Sequence, residues 1–235
     1  MKFRKLSVVI PVYNEERFLP SLLKKIEEVK IPLKKEIIIV DDFSSDRTRE
    51  ILKRYNRRFG YKILYNKKNY GKGFSLIKGF KKATGDIFLV QDADLEYNPE
   101  DYNSLLKPIL DGDAEVVYGS RFLGEGFFSR KKMFYPFHYL ANKLISFMMF
   151  LLYFKWIDDV ETCYKAMTRE IYKNLDLKSK GFEFEIEITS RILQKHKKIF
   201  RIPIDYSPRT FKEGKKIKWT DGVKAFFYLF KYRLL

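Results

Sequence analysis

Asp92 and Asp94 stand two residues apart, just past the short apolar run 87–90 (IFLV). In an extended strand such side chains point to opposite faces, so both serve one site only if the strand ends before them. There they suit a hard divalent cation shared with phosphate oxygens, with Glu96 as a third oxygen ligand. The competing reading is a solvated acidic turn leading to the helix that Pro99 opens. Asp41 and Asp42 follow a second apolar run, 36–40 (EIIIV). They read either as helix caps, a role Asp46 fills as well, or as acceptors for a nucleobase or ribose. Tyr13, two residues past Pro11, is placed to stack on that base. Two such features at neighbouring strand ends, with a metal motif at a third, describe a nucleotide-diphosphate pocket. The sequence holds no GxxxxGK[ST] and no GxGxxG after its first strand, which sets aside P-loop and dinucleotide chemistry.

The elements that must position these residues alternate. Strands are predicted at 6–12, 36–40, 62–65, 87–90 and 114–118. Helices are predicted at 15–29, 47–57, after the loop 69–73 through 83, and at 99–110. This alternation means βαβ units and a mainly parallel sheet, in which ligands sit beyond the carboxyl ends of the strands. The second half is less regular. Residues 134–154 read as a long aromatic helix carrying His138, Asn142 and Lys143, and 164–168 as a short strand. The segment 181–195 alternates with period two in FEFEIEI, yet Phe184, Ile188 and Ile192 have helical spacing, and a helix is expected. Its acidic run, Glu183, Glu185 and Glu187, reads as a solvated face in preference to a catalytic base. Residues 199–204 form a strand and 217–235 a terminal amphipathic helix. Cys163 and Tyr164 read as core.

The chain has 235 residues, with 47 Lys+Arg against 30 Asp+Glu and a net charge of +17. Apolar residues make up 46% and Gly and Pro are few, so a disordered chain is excluded. A single cysteine excludes a disulfide framework and a four-cysteine zinc site. The N-terminus lacks the pattern of a signal peptide. The longest apolar run, 144–154, falls short of the ~20 residues of a membrane span. The positive charge calls for an anionic partner or an anionic surface, or else is a solvated lysine-rich surface.

The segments VVIPVYNEE, VDDFSSDRT, NYGKGFSLIKGFKKATGD, QDADLEYNPED and GSRF occur in the order and spacing of the large inverting glycosyltransferase family with the GT-A fold. DDVETCYKAMTRE, GFEFEIEI and IPIDYSPRTFKEGKKI resemble its polyprenyl-phosphate branch, the dolichol-phosphate mannosyltransferase-like enzymes. The resemblance implies an α/β nucleotide-diphospho-sugar transferase fold, with a mainly parallel sheet flanked by helices and with amphipathic interface helices. It implies a catalytic domain over 1–216, with an interface helix inserted at 134–156, and a C-terminal amphipathic helix at 217–235. By the same resemblance Pro11, Tyr13 and Glu15 line the nucleotide and Asp42 contacts the base. Asp92, Ala93 and Asp94 form the metal and diphosphate motif, with Glu96 where the branch often has Gln. Arg121 meets the acceptor phosphate, Arg130 is a second acceptor arginine, and Arg209 and Lys215 hold the donor diphosphate. Asp94 and Arg121 are the residues expected to carry the chemistry.

The implied reaction moves a sugar from GDP-mannose or a UDP-hexose to a polyprenyl phosphate, with inversion and with Mg2+ or Mn2+. A phosphate monoester, with its second pKa of ~6, is a nucleophile without a carboxylate base. The same fold acting on a glycan or lipid-linked sugar hydroxyl is the alternative, and there a base is needed. A basic nucleic-acid-binding module is the non-enzymatic alternative, and it leaves the acids at the strand ends unexplained, so no nucleic-acid partner is expected. The reading places the protein peripherally on the cytoplasmic face of an anionic membrane, with a second copy or a separate membrane-anchoring subunit as protein partners.

Overall fold

The continuous apolar runs of the first half form the middle of a single sheet. A computed structural model describes residues 3–123, 136–209 and 219–234, with the backbone alone at 136–138 and 219–224. Its strands are β1 (Lys5–Val12), β2 (Lys34–Asp41), β3 (Lys62–Tyr65), β4 (Ile87–Val90), β5 (Val116–Ser120), β6 (Lys165–Thr168) and β7 (Phe200–Pro203). They lie in the order β3-β2-β1-β4-β6-β5-β7. All neighbours are parallel except β6, which runs antiparallel to both β4 and β5. The order turns back between β1 and β4. That reversal opens a crevice above the carboxyl ends of the strands.

Helices cover both faces of such a sheet, which is why β1, β2 and β4 need apolar residues on both sides. Val8, Val9 and Ile10 are fully buried, as are Ile38, Ile39 and Leu89. The helices are α1 (Leu19–Glu28), α2 (Thr48–Phe59), α3 (Lys72–Phe80), α4 (Tyr102–Leu110), α5 (Pro136–Tyr153), α6 (Arg169–Lys173), α7 (Phe184–Gln194) and α8 (Trp219–Leu234). A 3-10 turn at Pro99–Asp101 leads into α4. Helix α3 lies close on the sheet because Gly79 has no side chain. A Cβ there would fall 2.4 Å from Val9 Cγ1.

The structure shortens the first predicted helix. α1 begins at Leu19, with Pro20 in its opening turn, so Glu15 and Glu16 stay in the preceding turn. α6, only five residues long, lies in a stretch for which no helix is expected. The acidic run of α7 corrects the sequence reading, because Glu185 and Glu187 are buried. Glu187 accepts hydrogen bonds from the backbone amides of Lys178 and Ser179, and so closes the turn that precedes its own helix. Cys163 and Tyr164 are core residues, as expected.

Helices α5 and α8 pack together, and α8 also packs on α7. Each has an inward face, with Ile145, Ser146 and Met149 on α5 and Ala225, Leu229 and Tyr232 on α8. Each also turns apolar side chains outward: Leu140, Leu144, Phe147 and Leu151 on α5, and Phe227 and Phe230 on α8, are exposed. Among the described residues no helix is long and apolar enough to cross a membrane.

Candidate functional site

β4 ends at Val90, and the chain then turns. Gln91, fully buried, fixes the turn: its Oε1 accepts hydrogen bonds from the hydroxyls of Tyr102 and Tyr164, each at 2.8 Å. Leu95 takes φ +61°, a left-handed backbone that an apolar side chain rarely adopts. Such strain persists only where the surroundings impose it, and it gathers at functional sites. The turn frees Asp92 and Asp94 from the alternation of the strand. Ala93 between them is buried.

Each of the two carboxylates meets a different cation. Asp92 is 2.9 Å from the Lys72 ammonium, which also lies 3.0 Å from Glu185. Glu185 in turn pairs with Lys165, a lysine with no exposed surface. Burial works against the charged form of Lys72, but Asp92 and Glu185 hold its pKa well above the ordinary lysine value. Cys163 lies beside the same group, and burial pushes its thiol pKa up, aided by a hydrogen bond with Asp92. Asp94 faces Arg209, Oδ2 to Nη2 at 2.8 Å. The same guanidinium reaches Glu15 at 3.2 Å and Glu96 at 3.5 Å.

Burial and the nearby carboxylates of Asp92 and Glu96 raise Asp94 to about 7, with Arg209 opposing them. Five carboxylates, Glu15, Asp92, Asp94, Glu96 and Glu185, thus face three cations, Lys72, Lys165 and Arg209. Fully ionised, this described cluster carries two negative charges in excess. Its donors are hard carboxylate oxygens, the kind that Mg2+ and Mn2+ prefer. Among the described residues no three such side chains converge to hold a metal ion, so the donor type and charge fit a divalent cation that would take only Asp92 and Asp94 from the protein and its other oxygens from a ligand.

Glu96 has a different occupation from the third ligand position expected of it. Its side chain accepts from the Tyr206 hydroxyl at 2.6 Å and from the Arg209 backbone amide at 3.0 Å, and its carbonyl accepts from the Ser207 amide. It anchors the segment that delivers Arg209.

At the end of β2, Asp42 is buried and its two oxygens accept from the Asn66 side chain and from the amides of Tyr70 and Gly71. It holds the loop that opens α3 and so places Lys72. Gly71 is required in that loop, with φ +100° and room for no Cβ, which would meet the Lys180 carbonyl oxygen at 2.5 Å. Asp41 accepts from the Ser44 amide and pairs with Arg49 at 2.7 Å, while Asp46 accepts from the Thr48 amide at the start of α2. Pro11 lies within β1 beside Val40, and Tyr13, just beyond the strand, exposes about a third of its surface (37%).

Arg121, past the end of β5, gives Asp159 a two-pronged pair: Nε to Oδ2 at 2.8 Å and Nη2 to Oδ1 at 2.7 Å. The Arg121 backbone amide donates to the same carboxylate. Asp158 accepts from Ser120 and from Arg201, so the two adjacent aspartates hold both Ser120 and Arg121. The Tyr206 ring lies 5.2 Å from the Arg121 guanidinium. Tyr206 therefore touches the arginine on one side and Glu96 on the other. Arg130 and Lys215 lie outside the described residues.

Sequence reasoning missed Lys72, Asp158, Asp159, Glu161, Lys165, Tyr206 and the role of Glu185. Glu161 sits where the charges of Arg121 and Asp159 reach it, and burial raises its carboxyl pKa. Lys72, Asp159 and Tyr206 all fall inside quoted motif segments, but their partners are 20, 38 and 110 residues away along the chain.

A sheet reversed at β1/β4, with acids at three strand ends and an arginine at a fourth, defines the GT-A class of α/β fold. Glucosyl-3-phosphoglycerate synthase from Mycobacterium tuberculosis, solved with Mn2+, UDP and phosphoglyceric acid, superposes with a TM-score of 0.74 at 20% identity. That match covers 98% of this chain and 78% of the synthase, and establishes the fold. Residues 7–176 match the Glycosyl transferase family 2 domain, and the chain belongs to that family. It is 33% identical over 238 aligned positions to the dolichol-phosphate mannosyltransferase of Pyrococcus furiosus, covering 98% of this chain and 64% of that protein. A low-salt glycan biosynthesis hexosyltransferase of Haloferax volcanii is 30% identical, with 87% of this chain and 48% of that protein covered. An undecaprenyl-phosphate 4-deoxy-4-formamido-L-arabinose transferase of Pseudomonas aeruginosa is 39% identical over 110 residues, 45% of this chain and 32% of that one. The chain thus matches from 32% to 64% of the length of these relatives.

Proposed function

We propose that this chain transfers a hexose from a nucleotide-diphospho-sugar to a polyprenyl phosphate, with inversion. One observation carries the reading: a half-buried cluster of carboxylates and cations at the ends of β1 and β4 is joined through Tyr206 to a half-buried, two-pronged arginine at the end of β5. The first suits a metal-bound diphosphate, and the second, a guanidinium held in place by Asp159, offers its charge to a phosphate monoester. The polyprenyl-phosphate enzymes among its relatives support that acceptor class, with GDP-mannose or a UDP-hexose as the donor.

Asp92 and Asp94 are the residues that would hold the divalent cation, which supplies positive charge against the leaving diphosphate. Arg209 and, from outside the described residues, Lys215 add to that charge. Pro11, Tyr13 and Glu15 line the nucleotide, with Tyr13 stacked on the base, and Asp42 contacts the base while its oxygens hold the loop to Asn66, Tyr70 and Gly71. Arg121 orients the acceptor phosphate on the opposite face of the sugar, and Arg130 assists. The phosphate attacks as its own nucleophile, being already deprotonated near neutrality. A hydroxyl acceptor would need a carboxylate to take its proton. Asp159, beside Arg121, is instead committed to that residue through three hydrogen bonds, two from the guanidinium and one from the backbone amide.

The test is transfer of labelled sugar from GDP-mannose or UDP-glucose to a short polyprenyl phosphate, with Arg121→Lys as the variant. Lys keeps the charge but loses the planar fork that binds phosphate in two places. We expect kcat/KM for the acceptor to fall about ten-fold or more, the equivalent of at least ~1.4 kcal/mol, while nucleotide affinity holds. Loss of nucleotide affinity would instead put Arg121 on the donor side.

A lipid acceptor also requires a surface that meets the bilayer, and the outward faces of α5 and α8 suit helices lying in the interface plane. Arg130, Lys131, Lys132, Lys215, Lys216 and Lys218, each worth up to ~1 kcal/mol on an anionic leaflet, flank these helices in sequence. Deleting α8 would expose the core around Leu229 and Tyr232, so surface replacements are the cleaner probe. A Phe147→Ser/Phe227→Ser protein is expected to sediment with phosphatidylglycerol vesicles at least about ten-fold less than wild type, since each buried Phe contributes about 1.5–3 kcal/mol. Wild-type binding should weaken at high salt. Equal wild-type sedimentation with neutral and anionic vesicles would remove the electrostatic part of this surface.

A further inference from the structure

Arg209 has a second occupation that the donor-binding role does not explain. Its guanidinium, only 9% exposed by residue, is the shared partner of Asp94 at 2.8 Å, Glu15 at 3.2 Å and Glu96 at 3.5 Å. The ring of Phe18 lies 5.3 Å from it. Its backbone amide is fixed to Glu96, and Tyr206 and Ser207 are fixed to the same residue. The arginine is therefore held against the carboxylates by its own segment. In that place it sits on Asp94, one of the two carboxylates that would hold the divalent cation.

We infer that Arg209 is a built-in counter-ion that competes with the divalent cation for Asp94. The inference rests on the metal-and-diphosphate reading of the site given above. A guanidinium and a divalent cation at one carboxylate repel each other strongly where water is scarce. A lone ion must therefore draw Arg209 off Asp94 or bind against its charge. A diphosphate arriving with the ion changes this balance, because its oxygens offer the planar guanidinium a new two-pronged partner. Arg209 then exchanges carboxylates for phosphates and yields Asp94 to the ion. Linkage makes the effect reciprocal: nucleotide strengthens ion binding by the same factor that ion strengthens nucleotide binding.

The experiment is a Mn2+ titration of the full chain, read as free Mn2+ by electron paramagnetic resonance, with and without GDP or UDP. Wild type, Arg209→Met and Arg209→Lys are compared. Without nucleotide, Arg209→Met is expected to bind Mn2+ about ten-fold more tightly than wild type. Arg209→Lys, which keeps a cation in place, should stay near wild type. The thermal midpoint of Arg209→Met should be lower than that of wild type in the metal-free protein. Saturating Mn2+ should restore it, as a ligand bound only by the native state stabilises that state. Wild type should gain about ten-fold or more in Mn2+ affinity when nucleotide is present, and Arg209→Met much less. Mn2+ binding to Arg209→Met that is no tighter than to wild type, including no binding by either, overturns the competition. Failure of all three proteins to bind either nucleotide sinks the donor reading instead, and the comparison in Mn2+ alone still decides the role of Arg209.

Discussion

An Asp94→Asn protein is expected to fold as wild type does and to transfer sugar at least about a hundred-fold more slowly, the scale on which removing one preorganised charge contact slows an enzyme. The two halves of this expectation have separate causes. Asp94 is crowded: burial, Asp92 and Glu96 push its carboxyl up to about 7, against the pull of Arg209. A neutral amide of the same shape relieves the crowding and still offers Arg209 an oxygen, so the thermal midpoint should move by only a few degrees. The same amide supplies no charge to a divalent cation, and Mn2+ affinity should fall together with transfer. Circular dichroism and thermal unfolding check the first half, and a transfer assay at limiting Mn2+ checks the second. Transfer at the wild-type rate under limiting Mn2+ would remove Asp94 from the metal site. A large drop in the thermal midpoint would show that the Arg209 pair outweighs the crowding.

What the sequence made legible follows the range of the interactions involved. Strands β3 and β4 fall on the residues predicted for them, because an apolar run bounded by turn residues is a local signal. β1, β2 and β5 differ from expectation by a residue or two at their ends. The opening of α1 moves further because Pro20 lies in its first turn and an apolar periodicity does not reveal where a helix starts. The direction of β6 could not be read, since nothing local distinguishes an antiparallel strand between β4 and β5 from a parallel one. The strand-end acids were visible as a pattern. Their partners were not, because Arg209 reaches Glu15 across 194 residues and Asp94 across 115. α7 shows the limit most clearly. Glu185 and Glu187 carry the mark of a solvated face, and both are buried because Lys165, Lys72 and the 178–179 turn supply what water would.

That buried pairing leads to the largest expected change in stability, Glu185→Ala. Lys165 has no exposed surface, and besides Glu185 its ammonium meets the carbonyls of Val160 and Thr162 and, 4.8 Å away, the Tyr118 ring. Removing the carboxylate takes the directly paired charge away from an interior ammonium, which costs about 3–5 kcal/mol. That is a large part of the ~5–15 kcal/mol by which a domain of this kind is stable. The loss comes from the charge left behind, because a buried ion pair contributes little net stability once its desolvation is counted. Replacing both partners, Lys165→Met with Glu185→Leu, should therefore recover most of what Glu185→Ala loses. Urea unfolding of the single and double variants measures both quantities. A double variant as unstable as the single one would mean that the pair holds the fold through packing that Met and Leu do not reproduce. Recovery of stability with weakened Mn2+ binding would instead assign the pair to the site: Lys72, no longer anchored by Glu185, would be drawn wholly onto Asp92 and would stand against the ion there.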